Sequence, residues 1–215
     1  MTLYLTEVWN ELTKDLNDNR NKWWKKLTQR LTESKRKCHN INQLETKYKL
    51  YLGIKDLVTN KNAMEYALFF SYFEYDPKSI DVEERNVEQF KLFCNDCGVP
   101  LECELCKGVV SLLRCIGSHI TDEHKTEGAY GHEDKHYFLD LDMAVLGSDP
   151  EIYAEYCRKV KEEYDFLPHD VYKALRLKVL QTFLQIPNIF ATKELREMYE
   201  QQARENIQNE IKLLQ

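Results

Sequence analysis

Apolar residues recur three and four positions apart along most of the chain, interrupted by short polar breaks, and this spacing predicts helices. The expected segments are 4–16, 20–34, 39–58, 62–73, 81–96, 101–118, 134–146, 150–164, 168–186 and 193–214. Their breaks carry recognisable stop signals. Asp76-Pro77 is expected to end one helix, Gly98-Val99-Pro100 to make a tight turn, Gly147-Ser148-Asp149-Pro150 to place a proline in a first turn, and Pro187 to interrupt the next helix. The last segment aligns Ala203, Ile207, Ile211 and Leu214 on one stripe, which suits a closing helix packed on a bundle. With no repeat and no low-complexity linker, a single all-α domain over 1–215 is expected.

Composition sharpens this picture. The 215 residues include only seven glycines and five prolines against 31% charged residues, a balance that favours helices over sheets. A formal net charge of -6 argues against a chain that coats nucleic acid through overall positive charge. One basic stretch, RNKWWKKLTQRLTESKRK (20–37), could contact phosphates, an acidic partner or a membrane surface; the plainer reading is a solvated helix face with one tryptophan in the core. No run of about 18 apolar residues is present to span a bilayer, so no membrane partner is expected. Seven cysteines suit a reducing compartment, cytoplasmic or alternatively nuclear, in which they stay thiols or bind metal.

Several strings in order resemble the HD superfamily of metal-dependent phosphohydrolases, in particular its small single-domain branch: RKCHNINQL (36–44), ALFFSYFEYDP (67–77), DVEER (81–85), FLDLDMAVLG (138–147), YAEYCRKVKEEY (153–164), ALRLKVLQTFL (174–184) and QARENIQNEIKLL (202–214). The likeness runs from about residue 24 to the end and implies an HD-domain-like helical bundle. In that family two histidines and two aspartates converge on a divalent cation, which activates a water toward phosphorus. Here the first string places Gln43 where the family has a metal-binding histidine, and the second places Ser71 and Tyr72 where it has its His-Asp pair. Of the four ligands the resemblance implies, Asp140 alone remains, with Asp142 beside it. An amide, a hydroxyl and a phenol of pKa about 10 replace imidazole and carboxylate poorly. Tyr72, among Phe69, Phe70 and Phe73, is expected to push a ring into the former ion cavity.

Other positions of the resemblance survive. Arg36, His39, Lys161 and Arg176 could hold a phosphate; alternatively Arg36, Arg176 and Arg204 form ion pairs with carboxylates such as Glu83, Glu84 and Glu163, and Asp140 and Asp142 cap the MAVL segment. Independently, Cys94, Cys97, Cys103 and Cys106 form two C-x-x-C pairs five residues apart, which a turn at 98–100 could close into a structural zinc clamp or leave as small apolar thiols. His132, His136 and Asp140, with His124 folding back, could draw a relocated metal site if one helix ran through them; a solvated loop leading into a helix is the plainer account. No P-loop, dinucleotide fingerprint or G-x-S-x-G is present. These readings point to a catalytically inactive HD-like protein without a catalytic cofactor that binds a protein partner as a scaffold. The alternatives are a divergent phosphohydrolase acting on nucleotides and a sensor of a phosphorylated metabolite.

Overall fold

The computed structural model describes residues 3–118 and 120–215, and among them the chain is all-α, with eleven α-helices, two 3-10 turns and no strand. It falls into two compact units, 1–117 and 118–215. No described helix is long and apolar enough to cross a membrane.

The first unit contains α1 (Leu3–Leu12), α2 (Asn19–Leu31), α3 (Ile41–Ile54) with a 3-10 turn after it, α4 (Lys61–Phe70), α5 (Val82–Cys97) and α6 (Glu104–Cys115). Its centre is α4, buried at every position from Ala63 to Phe70, as expected of a helix without a polar face. The one carboxylate in that run, Glu65, accepts hydrogen bonds from Tyr51 (3.2 Å) and Lys55 (2.6 Å). Helix α4 packs on α3, α5 and α6. Gly108 lets α6 approach closely, since a Cβ there would lie 3.0 Å from that of Ala63. Around α4 runs an aromatic core in which Trp9 stacks on Trp24 at 5.6 Å and Phe70 meets Phe90 and Phe93 at 5.2 and 5.3 Å.

Both tryptophans of the basic stretch are buried, Trp23 and Trp24 alike, where the sequence pattern placed one in the core. Helix α2 packs on α5, and the Trp23 indole N–H donates to Asp96 at 2.9 Å, so its polar edge is satisfied inside the unit. The α5–α6 turn is as expected: Gly98 takes the left-handed conformation (φ 79°) and Val99 N–H closes onto Cys94 O at 2.8 Å.

The second unit contains α7 (Asp122–Lys125), α8 (Asp134–Met143) with a 3-10 turn at 144–147, α9 (Pro150–Glu163), α10 (His169–Gln185) and α11 (Lys193–Leu214). Helix α11 packs on α10 and on the 3-10 turn, where Gly147 meets Tyr199 so closely that a Cβ would stand 2.7 Å from a backbone oxygen. Asn206 ties the turn down by donating to the carbonyls of Leu146 (2.9 Å) and Ser148 (2.8 Å).

The segment between α10 and α11 is buried from Asn188 to Thr192, an arrangement that requires an acceptor for each amide there. The amides of Ile189 and Phe190 donate to Glu200, those of Ala191 and Thr192 to Asp140, and that of Asn188 to the His124 carbonyl. The carbonyls of Phe190 and Ala191 accept from Arg196, and those of Ile186 and Pro187 from Arg204.

Candidate functional site

In the first unit, four of the residues singled out by the resemblance line one pocket. The N-terminal turns of α3 bring His39, Asn40, Gln43, Leu44 and Lys47 to one side, and the C-terminal end of α4 supplies Leu68, Phe69, Ser71 and Tyr72. Asn40 sets the start of α3: its side-chain oxygen accepts from the amides of Asn42 (2.9 Å) and Gln43 (3.2 Å). One turn on, Gln43 follows on the same face, and Lys47 one turn beyond it. The space left inside is about 10 Å³, room for a single water molecule.

The half-buried Tyr72 ring forms one wall of this corner. It packs on His39 at 4.8 Å, and the ammonium of the buried Lys47 sits 4.2 Å over its face. His39 also stacks on Tyr75 at 4.0 Å. The Ser71 hydroxyl donates to the Leu68 carbonyl at 3.0 Å, bonding back onto its own helix. Among these lining residues there is one imidazole and no carboxylate, and a lysine cation lies within the wall. This donor set disfavours a divalent cation, which needs anionic or several imidazole ligands and is repelled by an adjacent ammonium. Lys47 was not among the sequence candidates; its i+4 and i+7 spacing from Gln43 and Asn40 was the available signal.

Helix α4 stops at Phe70, three residues short of the expected segment's end at 73 and six before the Asp76-Pro77 stop signal. The buried guanidinium of Arg36 donates to the carbonyls of Tyr72 and Phe73, the latter at 2.8 Å, and lies 3.7 Å from Glu33. Asn86 completes the turn, donating to Ser71 O at 2.9 Å and accepting from Glu74 N at 2.7 Å. Arg36 is therefore directed at backbone carbonyls.

In the second unit, Asp140 is fully buried on α8, and its oxygens accept from Ala191 N (2.9 Å), Thr192 N (2.8 Å) and the Thr192 hydroxyl (2.6 Å). It thus serves the N-terminus of α11; the MAVL segment that follows it in sequence is not what those bonds cap. Burial pushes its carboxyl up to about 6, against the opposing pull of those hydrogen bonds. Arg176 makes a bidentate pair with Glu210 at 2.8 and 3.0 Å, and Tyr153 donates to the same carboxylate. Burial alone would raise the Glu210 pKa; the Arg176 pair overrides it and holds it below the ordinary value. Arg204 pairs with Glu200 at 2.7 Å. Lys161 is exposed on α9.

The structure brings His124 to Asp140, with its Nε2 3.9 Å from the carboxylate, while both buried histidines of this unit also close the start of their own helices. His124 and His136 are buried, each in the first turn of its helix, with Nδ1 accepting the amide of Thr121 (3.0 Å) and Glu133 (3.1 Å) respectively. Accepting at Nδ1 places the proton of the neutral ring on Nε2. For His136 that Nε2 lies 2.9 Å from Glu123, and the Thr121 hydroxyl, the Glu123 amide and the His136 ring together hold the Glu123 carboxyl down at about 2. His132 is exposed and precedes α8, so no single helix carries His132, His136 and Asp140.

Of the cysteines, Cys94 and Cys97 close α5, Cys103 caps α6 and Cys106 lies in its first turn; all are free thiols. Burial raises Cys94 and Cys106 and pushes Cys97 up to about 11. No three of these sulfurs lie within 4.8 Å of one another, whereas thiolates sharing a tetrahedral zinc stand about 4 Å apart. A zinc clamp would thus require their side chains to rotate.

Comparison with known proteins finds no matching family model, curated protein or solved structure. The HD resemblance rests on its strings alone.

Proposed function

We propose that this chain is a non-hydrolytic, protein-binding helical subunit, an HD-like pseudoenzyme in which the metal pocket has been replaced by packing. One observation carries the reading. The residues that the resemblance aligns with metal ligands, Gln43, Ser71 and Tyr72, line one pocket with His39, and that pocket holds an aromatic ring, a lysine and room for one water instead of a ligand set for a cation. The use of both Asp140 oxygens at the start of α11 supports the same conclusion. Exposure of Val171, Leu175 and Val179, four residues apart on α10, favours a protein partner.

The test is direct. Purified protein, incubated at stoichiometric concentration with nucleotides and phosphomonoesters plus magnesium, manganese, cobalt or iron, should release no phosphate. It should also co-purify from its native cell in a fixed ratio with an identified protein. Turnover by the wild type that a chelator abolishes and added manganese or cobalt restores would instead establish the divergent phosphohydrolase.

A further inference from the structure

The two C-x-x-C pairs stand at opposite kinds of helix end. Cys94 and Cys97 lie in the last turn of α5, where carbonyls face outward, while Cys103 and Cys106 open α6, a helix of 12 residues whose first amides face outward. Helix dipoles favour negative charge at the second location and disfavour it at the first. Cys103 is the N-cap, in extended conformation, and its sulfur accepts the backbone N–H of Cys106 at 3.4 Å. It is half-buried, whereas Cys106 is buried and shares a hydrogen bond with the Cys94 thiol.

We propose that Cys103 and Cys106 form a redox-active dithiol that exchanges with a small-molecule disulfide of the glutathione type, Cys103 attacking and Cys106 resolving. A thiolate is the nucleophile in such exchange, and Cys103, half-buried at the N-cap of α6, is the more accessible thiol of the pair. The Cys103 sulfur already lies over the first turn, toward the residue it would join, and one helical turn separates the two positions, within reach of a disulfide after a side-chain rotation. Burial of Cys106 keeps a small disulfide from reaching it first, as a resolving thiol requires. Its own burial, together with the neighbouring Asp96 charge, keeps Cys97 inert.

The exchange balances in two steps. The Cys103 thiolate attacks one sulfur of the disulfide, forming a mixed disulfide and expelling one thiolate. The Cys106 thiol then gives its proton to water and attacks the Cys103 sulfur, forming the internal disulfide and expelling the second thiolate. Two electrons pass from the pair to the small molecule, leaving two small thiols.

The experiment uses the full chain, reduced and without chelator, exposed to oxidised glutathione and then differentially alkylated. All four cysteines lie between Lys91 and Lys107, so fragment sequencing of that peptide must place each modification. The wild type should lose two hydrogens and link Cys103 to Cys106. Cys106→Ser should stop as a glutathione adduct on Cys103, Cys103→Ser should leave Cys106 reduced, and Cys94→Ser should behave as the wild type. Quenching the wild type at early times should trap the same adduct on Cys103, a readout that needs no variant. The proposal fails if Cys115 reacts while Cys103 stays reduced, if the early adduct sits on another cysteine, or if the purified chain holds one zinc that is lost on Cys103→Ser.

Discussion

Replacing Asp140 by alanine removes the acceptor for two buried amides and a hydroxyl at the start of α11. A buried N–H left without a partner costs about 1–3 kcal/mol, and losing a carboxylate at a helix N-terminus adds about 1 kcal/mol. The Thr192 hydroxyl can turn to another acceptor, so the two amides dominate and the expected loss is about 4 kcal/mol. Asp140→Asn keeps one acceptor oxygen but points an NH2 group at the remaining donor, for a loss of about 2 kcal/mol. Urea unfolding followed by circular dichroism gives the totals, and hydrogen exchange in a peptide spanning 188–195 locates them. All three tryptophans lie in the first unit, so circular dichroism and exchange are needed to follow this site. A loss under about 1 kcal/mol for the alanine variant, with exchange at 191 and 192 unchanged, would refute the reasoning.

Other outcomes follow from the same geometry. Arg176→Met strands a buried Glu210 carboxylate and should cost about 3–5 kcal/mol near neutral pH. Because the folded state holds Glu210 below its ordinary pKa, the stability it contributes is present above about 4.5 and lost as pH falls through the folded value. The cost of Arg176→Met in pH-dependent urea melts should therefore shrink in acid, and a cost independent of pH would contradict the pairing. Arg36→Ala should lower stability by about 3 kcal/mol by leaving two carbonyls without their charged donor, and should increase exchange around 74–76. The triple change Gln43→His, Ser71→His and Tyr72→Asp should confer manganese or cobalt binding by calorimetry if cavity filling and ligand loss are what exclude the ion; with no gain, the alignment of those positions with metal ligands fails.

Much of the fold could be read from the spacing of apolar residues. The ten expected segments correspond to ten of the described helices because each buries a stripe. Helix α7 escaped, since its four residues, Asp122–Lys125, contain no apolar repeat. The end of α4 was misplaced for the opposite reason: FFSYFEYDP continues an apolar run beyond the helix, and what stops it is Arg36, reaching the carbonyls from 36 positions away. The role of Asp140 was hidden by the same non-locality, its hydrogen bonds landing 51 and 52 residues downstream. The convergence of His39, Gln43, Ser71 and Tyr72 came from the resemblance and not from periodicity. Lys47 was overlooked because a lysine in an amphipathic pattern reads as solvent-facing, whereas this one lies over an aromatic ring inside the pocket.

Metal content of the purified full-length protein, measured by elemental analysis after growth with manganese, iron, cobalt and nickel supplied, bears most directly on the central claim. Replacement of the cation site by packing predicts none of these four metals above trace in the wild type. One such ion per chain, lost on Gln43→Ala, would contradict it.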